Sequence, residues 1–93
     1  MKLIAWDPAK NELLKAQRGI SFEEVVFHIQ AGDILETYDH PNQERYPGQQ
    51  IHEIAIEGYV YLVPFVESED RVFLKTIIPS RKATKKHRGK DNG

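Results

Sequence analysis

The main change of period in the hydrophobic and polar positions along the chain falls at Asp33, from helical to extended. The first residues, Lys2 to Trp6, alternate weakly, as a short strand does, and run into Asp7-Pro8. There an N-cap acceptor precedes a residue already set for the first helical position. A helix is predicted through Ala9 to Arg18, with Leu13, Leu14 and Ala16 as a narrow apolar stripe. Gly19 supplies the left-handed residue that ends such helices. Ser21-Phe22-Glu23-Glu24 then spells a capping box, with Ile20 and Val25 as the hydrophobic staple. Phe22, Val25, Val26 and Ile29 give this second helix one buried face, and Ala31-Gly32 closes it.

Beyond Asp33 the pattern reads Ile34 to Tyr38 as a strand, followed by a polar loop from Asp39 to Gln50 that contains Pro41, Pro47 and Gly48. Three strands follow, Ile51 to Glu57, Tyr59 to Glu67 and Arg71 to Ile78. Gly58 and Ser68-Glu69-Asp70 separate them, connections short enough for antiparallel hairpins. In the last strand Val72, Leu74, Thr76 and Ile78 share one side, and Phe73, Lys75 and Ile77 the other. Pro64 has no N–H for a ladder, so a bulge or an unpaired position is expected there. The order strand, helix, helix and four-strand meander predicts an α+β fold, its two N-terminal helices on one face of an antiparallel sheet. The opposite face is expected to stay comparatively open, and a short basic segment, Ser80 to Arg88, ends the chain with a helical turn or more.

With 93 residues the chain suffices for one small core, which excludes a multidomain enzyme. One domain over residues 1–88 and a flexible tail over 89–93 are expected. Cysteine is absent, which removes disulfide scaffolds, thiolate metal sites and Cys nucleophiles and makes a cytoplasmic location the default. The longest apolar stretch, Tyr59 to Val66, is too short to cross a bilayer, so no membrane partner is expected. The net charge of -1 conceals a strong asymmetry. Residues 1–70 carry five Lys/Arg against thirteen Asp/Glu, and residues 71–93 carry eight against one. Local potential governs encounter with a polyanion, so the basic end makes nucleic acid a candidate partner.

Arg81, Lys82, Lys85, Lys86, Arg88 and Lys90 place six cations within ten residues. Such a run binds several phosphates with a steep salt dependence, or merely solubilises a terminus. The loop Asp39 to Tyr46 gathers His40, Glu44, Arg45 and a phenol. Cleaving an RNA phosphodiester without a metal needs a base for the 2′-hydroxyl, cations for the phosphoryl oxygens and an acid for the leaving oxygen. Glu44 or His40 fits the base, and Arg45 and Arg81 fit bidentate phosphate binding. Polar loops also exist for solvation and turn formation alone. His52 alternates with Ile54 and Ile56 and reads as a core-edge imidazole, while His28 and His87 are isolated in the sequence. With no close metal-ligand spacing, no metal or cofactor is assigned. Tyr59, Tyr61, Phe65 and Phe73 suit base stacking, although strand aromatics are more often core.

Trp6-Asp7-Pro8 with Lys10, the run Arg18-Gly19-Ile20-Ser21-Phe22-Glu23-Glu24, the segment Glu44-Arg45-Tyr46 and the ending Ser80-Arg81-Lys82-Ala83-Thr84 occur in this order over nearly the whole chain. In these segments the chain resembles the BrnT family of type II toxin–antitoxin toxins. The resemblance implies a RelE-like fold and a metal-independent endoribonuclease that cleaves RNA and halts translation. It also implies a ribbon-helix-helix (BrnA-like) antitoxin that neutralises the toxin and represses the shared operon, in a complex larger than a heterodimer. Its motifs match at Arg45, Arg81, Lys82 and Thr84.

Two classes of function follow. In the first, Arg45, Lys75 and Arg81 stabilise the transition state, Glu44 or His40 moves protons, and Lys82, Lys85, Lys86 and Arg88 hold RNA. In the second, the same cations serve a non-catalytic module that binds nucleic acid or the antitoxin, a degenerate toxin kept as co-repressor. Fold alone does not separate the two.

Overall fold

A computed structural model describes residues 2–91. Its elements are β1 (Leu3–Trp6), α1 (Pro8–Arg18), α2 (Phe22–Gln30), β2 (Ile34–Asp39), β3 (Gln49–Ile56), β4 (Tyr59–Glu67), β5 (Arg71–Leu74), β6 (Ile78–Pro79) and α3 (Arg81–Asp91). The N-terminal half forms for the reasons its sequence gives. The Asp7 carboxylate accepts from the Ala9 N–H at 2.9 Å, Gly19 turns α1 off at φ 65°, and Ser21 and Glu24 close a reciprocal capping box on α2. The stripe of α1 is narrower than expected: Leu14 is buried, Leu13 is exposed, and the second buried residue is Asn11. The Asn11 amide accepts from the Phe22 N–H and donates to Glu23, each at 2.8 Å, which fixes the angle between the helices.

The sheet runs β1-β5-β4-β3-β2, with β6 also paired to β4. All pairs are antiparallel except β1 with β5, so the first strand closes an edge of the meander as its one parallel neighbour. The expected strand from Arg71 to Ile78 is broken after Leu74, and the reason lies in Pro64. Its carbonyl accepts from the Lys75 N–H at 2.8 Å, so its missing donor faces the β5–β6 side, where the ladder lapses. The pairing of Ile51 with Pro64 on the β3 side continues without a bulge. The break shifts the phase, so Leu74 and Ile77 are both buried and Ile78 is exposed, contrary to the strict alternation expected. The Arg18 guanidinium donates to the Ile77 carbonyl and pins the break to the end of α1.

Leu14, Ile20, Phe22 and Val25 from the helices pack with Ile54, Ile56, Val63, Phe65, Leu74 and Ile77 in one apolar core. Trp6 stacks on Phe22, with ring centres 5.7 Å apart. The opposite face is not open. Glu53, alternate to Ile54 and therefore on that face, bonds to Lys86 and His87 of α3. The basic C-terminal segment is thus an eleven-residue helix laid across the sheet, with Ala83 and Thr84 buried against it. The α+β class holds, with helices on both faces. Residues 89–91 of the expected tail lie within α3, and residues 92–93 lie outside the described residues.

Candidate functional site

The side-chain spacing of α3 sorts its residues into rows. Ala83, Thr84 and His87 recur at helical spacing and face the sheet, two buried and the third half-buried. Arg81, Lys85 and Arg88, at i, i+4 and i+7, form an exposed cationic row. Lys82 and Lys86 lie between the two rows, beside the sheet. The Thr84 hydroxyl secures the helix by donating to the Ser80 carbonyl at 2.7 Å and accepting from the Val60 N–H at 2.9 Å. The side chain of Lys90 lies outside the described residues.

Beneath α3, Glu53 is 4% exposed and receives three side chains. The Tyr38 hydroxyl donates to it at 2.7 Å, His87 Nε2 lies 2.7 Å from its other oxygen, and the Lys86 ammonium approaches to 3.1 Å. Lys86 also reaches Glu36 at 2.6 Å. Burial pushes the Glu53 carboxyl up, but the hydrogen bonds from His87, Tyr38 and Lys86, with the Lys86 charge, outweigh it and hold the group at about 2. Burial first, then the bond to Glu53 and its charge, push the Tyr38 phenol up to about 12. Hydrogen bonds to Glu36 and Glu53 raise Lys86. At neutral pH the cluster therefore holds an ionised Glu53, a protonated phenol and an ammonium.

Two cavities flank α3. One of about 480 Å³ is lined by residues that include Glu36, Tyr38, Glu53, Lys82 and Lys86. The other, about 420 Å³, has His87, Arg88, Thr84, Val60 and Leu35 in its walls. Glu36, Glu53 and His87 offer ligand atoms within 4.8 Å of one another, a spacing that fits a divalent ion. The Lys86 ammonium and the Tyr38 hydroxyl already engage those carboxylates, so the residues present satisfy the cluster with a side-chain cation.

The residues singled out from the sequence fall into separate places. Glu44 and Arg45 are exposed in the loop between β2 and β3, where the Arg45 guanidinium lies 5.5 Å from the Tyr46 ring centre. His40 packs on the same ring at 4.4 Å, and its Nδ1 accepts from the Asn42 N–H at 3.0 Å. That nitrogen is committed to the turn. Gln43 braces the loop further through the carbonyls of His40 and Gln49. Glu53 stands four residues along β3 from Gln49, where the loop rejoins the sheet, a span of about 13 Å. No hydrogen bond or ion pair joins Glu44, Arg45 and Arg81 among the described residues. Lys75 is exposed at the strand break, its ammonium 5.4 Å from the Phe73 ring centre. His52 occupies the core-edge position expected, stacked on Phe65 at 4.1 Å, and burial lowers its pKa.

The family model described as ribonuclease toxin, BrnT, of type II toxin-antitoxin system matches residues 6–87, nearly the whole chain. The chain belongs to the BrnT ribonuclease toxins. No curated protein and no solved structure matches it. Membership in BrnT brings an antitoxin partner and an RNA target. Among the described residues no helix is long and apolar enough to cross a membrane.

Tyr38, Glu36, Glu53 and His87 were not singled out as a group by the sequence, because the contacts that gather them join residues as far apart as Glu36 and His87. One signal was available. An acid at position 53, within a strand of apolar neighbours, marks a carboxylate that burial leaves costly without partners.

Proposed function

We propose that this BrnT-family chain cleaves RNA without a metal, by attack of the 2′-hydroxyl on the adjacent phosphate, and that the loss of RNA halts translation. The observation that carries the reading is the exposed row Arg81, Lys85 and Arg88, held over the sheet with Lys82 beside it. Those cations track an RNA backbone and offset the charge that builds on the phosphoryl oxygens. Arg81, at the first turn of α3, carries the strongest claim to the phosphate, because a guanidinium binds it through two parallel N–H bonds. Arg45, Glu44, His40 and Lys75 border the RNA path in this reading. A dimeric ribbon-helix-helix antitoxin covers the same cationic row with acidic side chains, in a complex larger than a heterodimer.

Purified protein is incubated with a short RNA, with and without EDTA, and with the same strand carrying 2′-deoxy sugars. The expected products end in a 2′,3′-cyclic phosphate, EDTA changes nothing, and the deoxy strand stays whole. Cleavage that requires added metal contradicts the mechanism. Arg81→Ala is expected to lower the rate by about 100-fold, the cost typical of losing one transition-state donor, with unchanged thermal melting. Replacing Arg81, Lys85 and Arg88 together by Ala flattens the salt dependence of RNA binding, by about 0.7 in log–log slope for each phosphate that is no longer neutralised.

A further inference from the structure

The outward row accounts for holding RNA, yet it contains no group able to accept a proton at neutral pH. His40, the imidazole that the loop offers, has its Nδ1 engaged by the backbone of its own turn. His87 differs on each point that matters. It sits one residue before Arg88, and both line the 420 Å³ cavity beside α3. Its Nε2 meets the buried Glu53 carboxylate at 2.7 Å, whereas no hydrogen bond engages its Nδ1 among the described residues.

We propose that His87, oriented by Glu53, is the general base of RNA cleavage, with Arg88 on the phosphate in the same cavity. This rests on the ribonuclease reading above. An ionised carboxylate only accepts hydrogen bonds, so the partner nitrogen of His87 must carry the proton. In the neutral ring that leaves Nδ1 bare, as a proton acceptor. Tyr38 and Lys86 complete the donors to Glu53, which fixes the carboxylate and through it the ring. Lys86 and Glu36 are the other charged groups facing the pair, and they offset one another at 2.6 Å.

The step balances without a further reagent. The 2′-hydroxyl gives its proton to His87 Nδ1 as its oxygen forms a bond to phosphorus. The bond from phosphorus to the 5′-oxygen breaks, and that oxygen takes a proton from water. The products are a 2′,3′-cyclic phosphate and a 5′-hydroxyl. The imidazolium, its new charge opposed by Glu53, then returns its proton to solvent. Glu53 is a positioning residue here, since it acts through His87.

The test compares the full chain with His87→Gln and His87→Gly on a short RNA, each checked by circular dichroism and thermal melting. His87→Gln is expected to cut the single-turnover rate by 100-fold or more, the usual contribution of a positioned base, with little change in RNA affinity. It should also remove the acidic limb of the pH–rate profile. Added imidazole should restore part of the rate to His87→Gly, a rescue that a purely structural histidine does not show. Where His87→Gln cleaves within threefold of the wild type with the same pH profile, or where imidazole restores nothing to a folded His87→Gly, the assignment fails while the ribonuclease reading stands. A wild-type chain inert toward RNA overturns both. If cleavage requires a divalent ion and is lost in EDTA, Glu36, Glu53 and His87 are ligands instead, and the base assignment is again wrong.

Discussion

The two faces of the sheet are built from different materials. Under α1 and α2 the contacts with the sheet are mostly apolar, with Phe22, Val25, Ile54 and Val63 all fully buried, and the buried polar residues Asn11 and Ser21 join the two helices to one another or cap them. Under α3 the buried set includes Glu53 and Thr84, and the helix is held through hydrogen bonds and ion pairs. Apolar burial involves no titrating group, so the contribution of the first face changes little with pH. A face held by charge keeps titratable groups in fixed places near solvent, which is what chemistry on a phosphate needs. The difference teaches that a small domain can place apolar burial on one side of a sheet and fixed, titratable groups on the other.

The comparison is broken most severely on the apolar side. Phe22→Ala removes a fully buried ring that stacks on Trp6, and a loss of about 3–5 kcal/mol is expected in denaturant unfolding. A smaller loss would mean that the helices contribute less to the core than their packing indicates.

The polar side responds to pH instead. Glu53 is held at about 2 when folded against an ordinary 4.5, so its contribution is complete above about pH 5 and lost as pH falls through about 2. The difference amounts to on the order of 3 kcal/mol. Glu53→Gln should lower stability at pH 7 and flatten the stability curve between pH 5 and 2. Equal acid sensitivity in the two proteins would show that other carboxylates dominate.

Thr84→Val keeps the shape of the side chain and removes the acceptor for the buried Val60 N–H, with an expected loss of about 1–2 kcal/mol. Hydrogen exchange at Val60 should rise with it. The smallest effect is a gain. Glu57 adopts φ 51° in the turn between β3 and β4, a conformation that asparagine tolerates better, so Glu57→Asn should raise stability by a few tenths of a kcal/mol.

Local rules made the apolar side legible in the sequence. The capping box, Gly19, and the spacing of Phe22 and Val25 act within a few residues of one another, and the structure follows them closely. The hairpin of β3 and β4 was legible for the same reason, through Gly58. The polar side was not, because its determinants are pairings between distant residues. Nothing near Glu53 in sequence says that Tyr38 and His87 will meet it. The C-terminal stretch, with most of the eight cations, pointed to a partner and to a helical turn or more, but not to a helix docked on the sheet, since Ala83 and Thr84 are too few to write an apolar stripe. The strand break also arose from a distance, with the missing donor of Pro64 ending the ladder on a neighbouring strand.

The claim that the α3 side acts on RNA is tested most directly by an amide NMR titration with a 2′-deoxy oligonucleotide that cannot be cleaved. Shift changes are expected along Arg81 to Arg88 and in the strands beneath, around Glu53 and Val60, with little movement from Pro8 to Gln30. Changes concentrated in α1 and α2, with α3 silent, would contradict it.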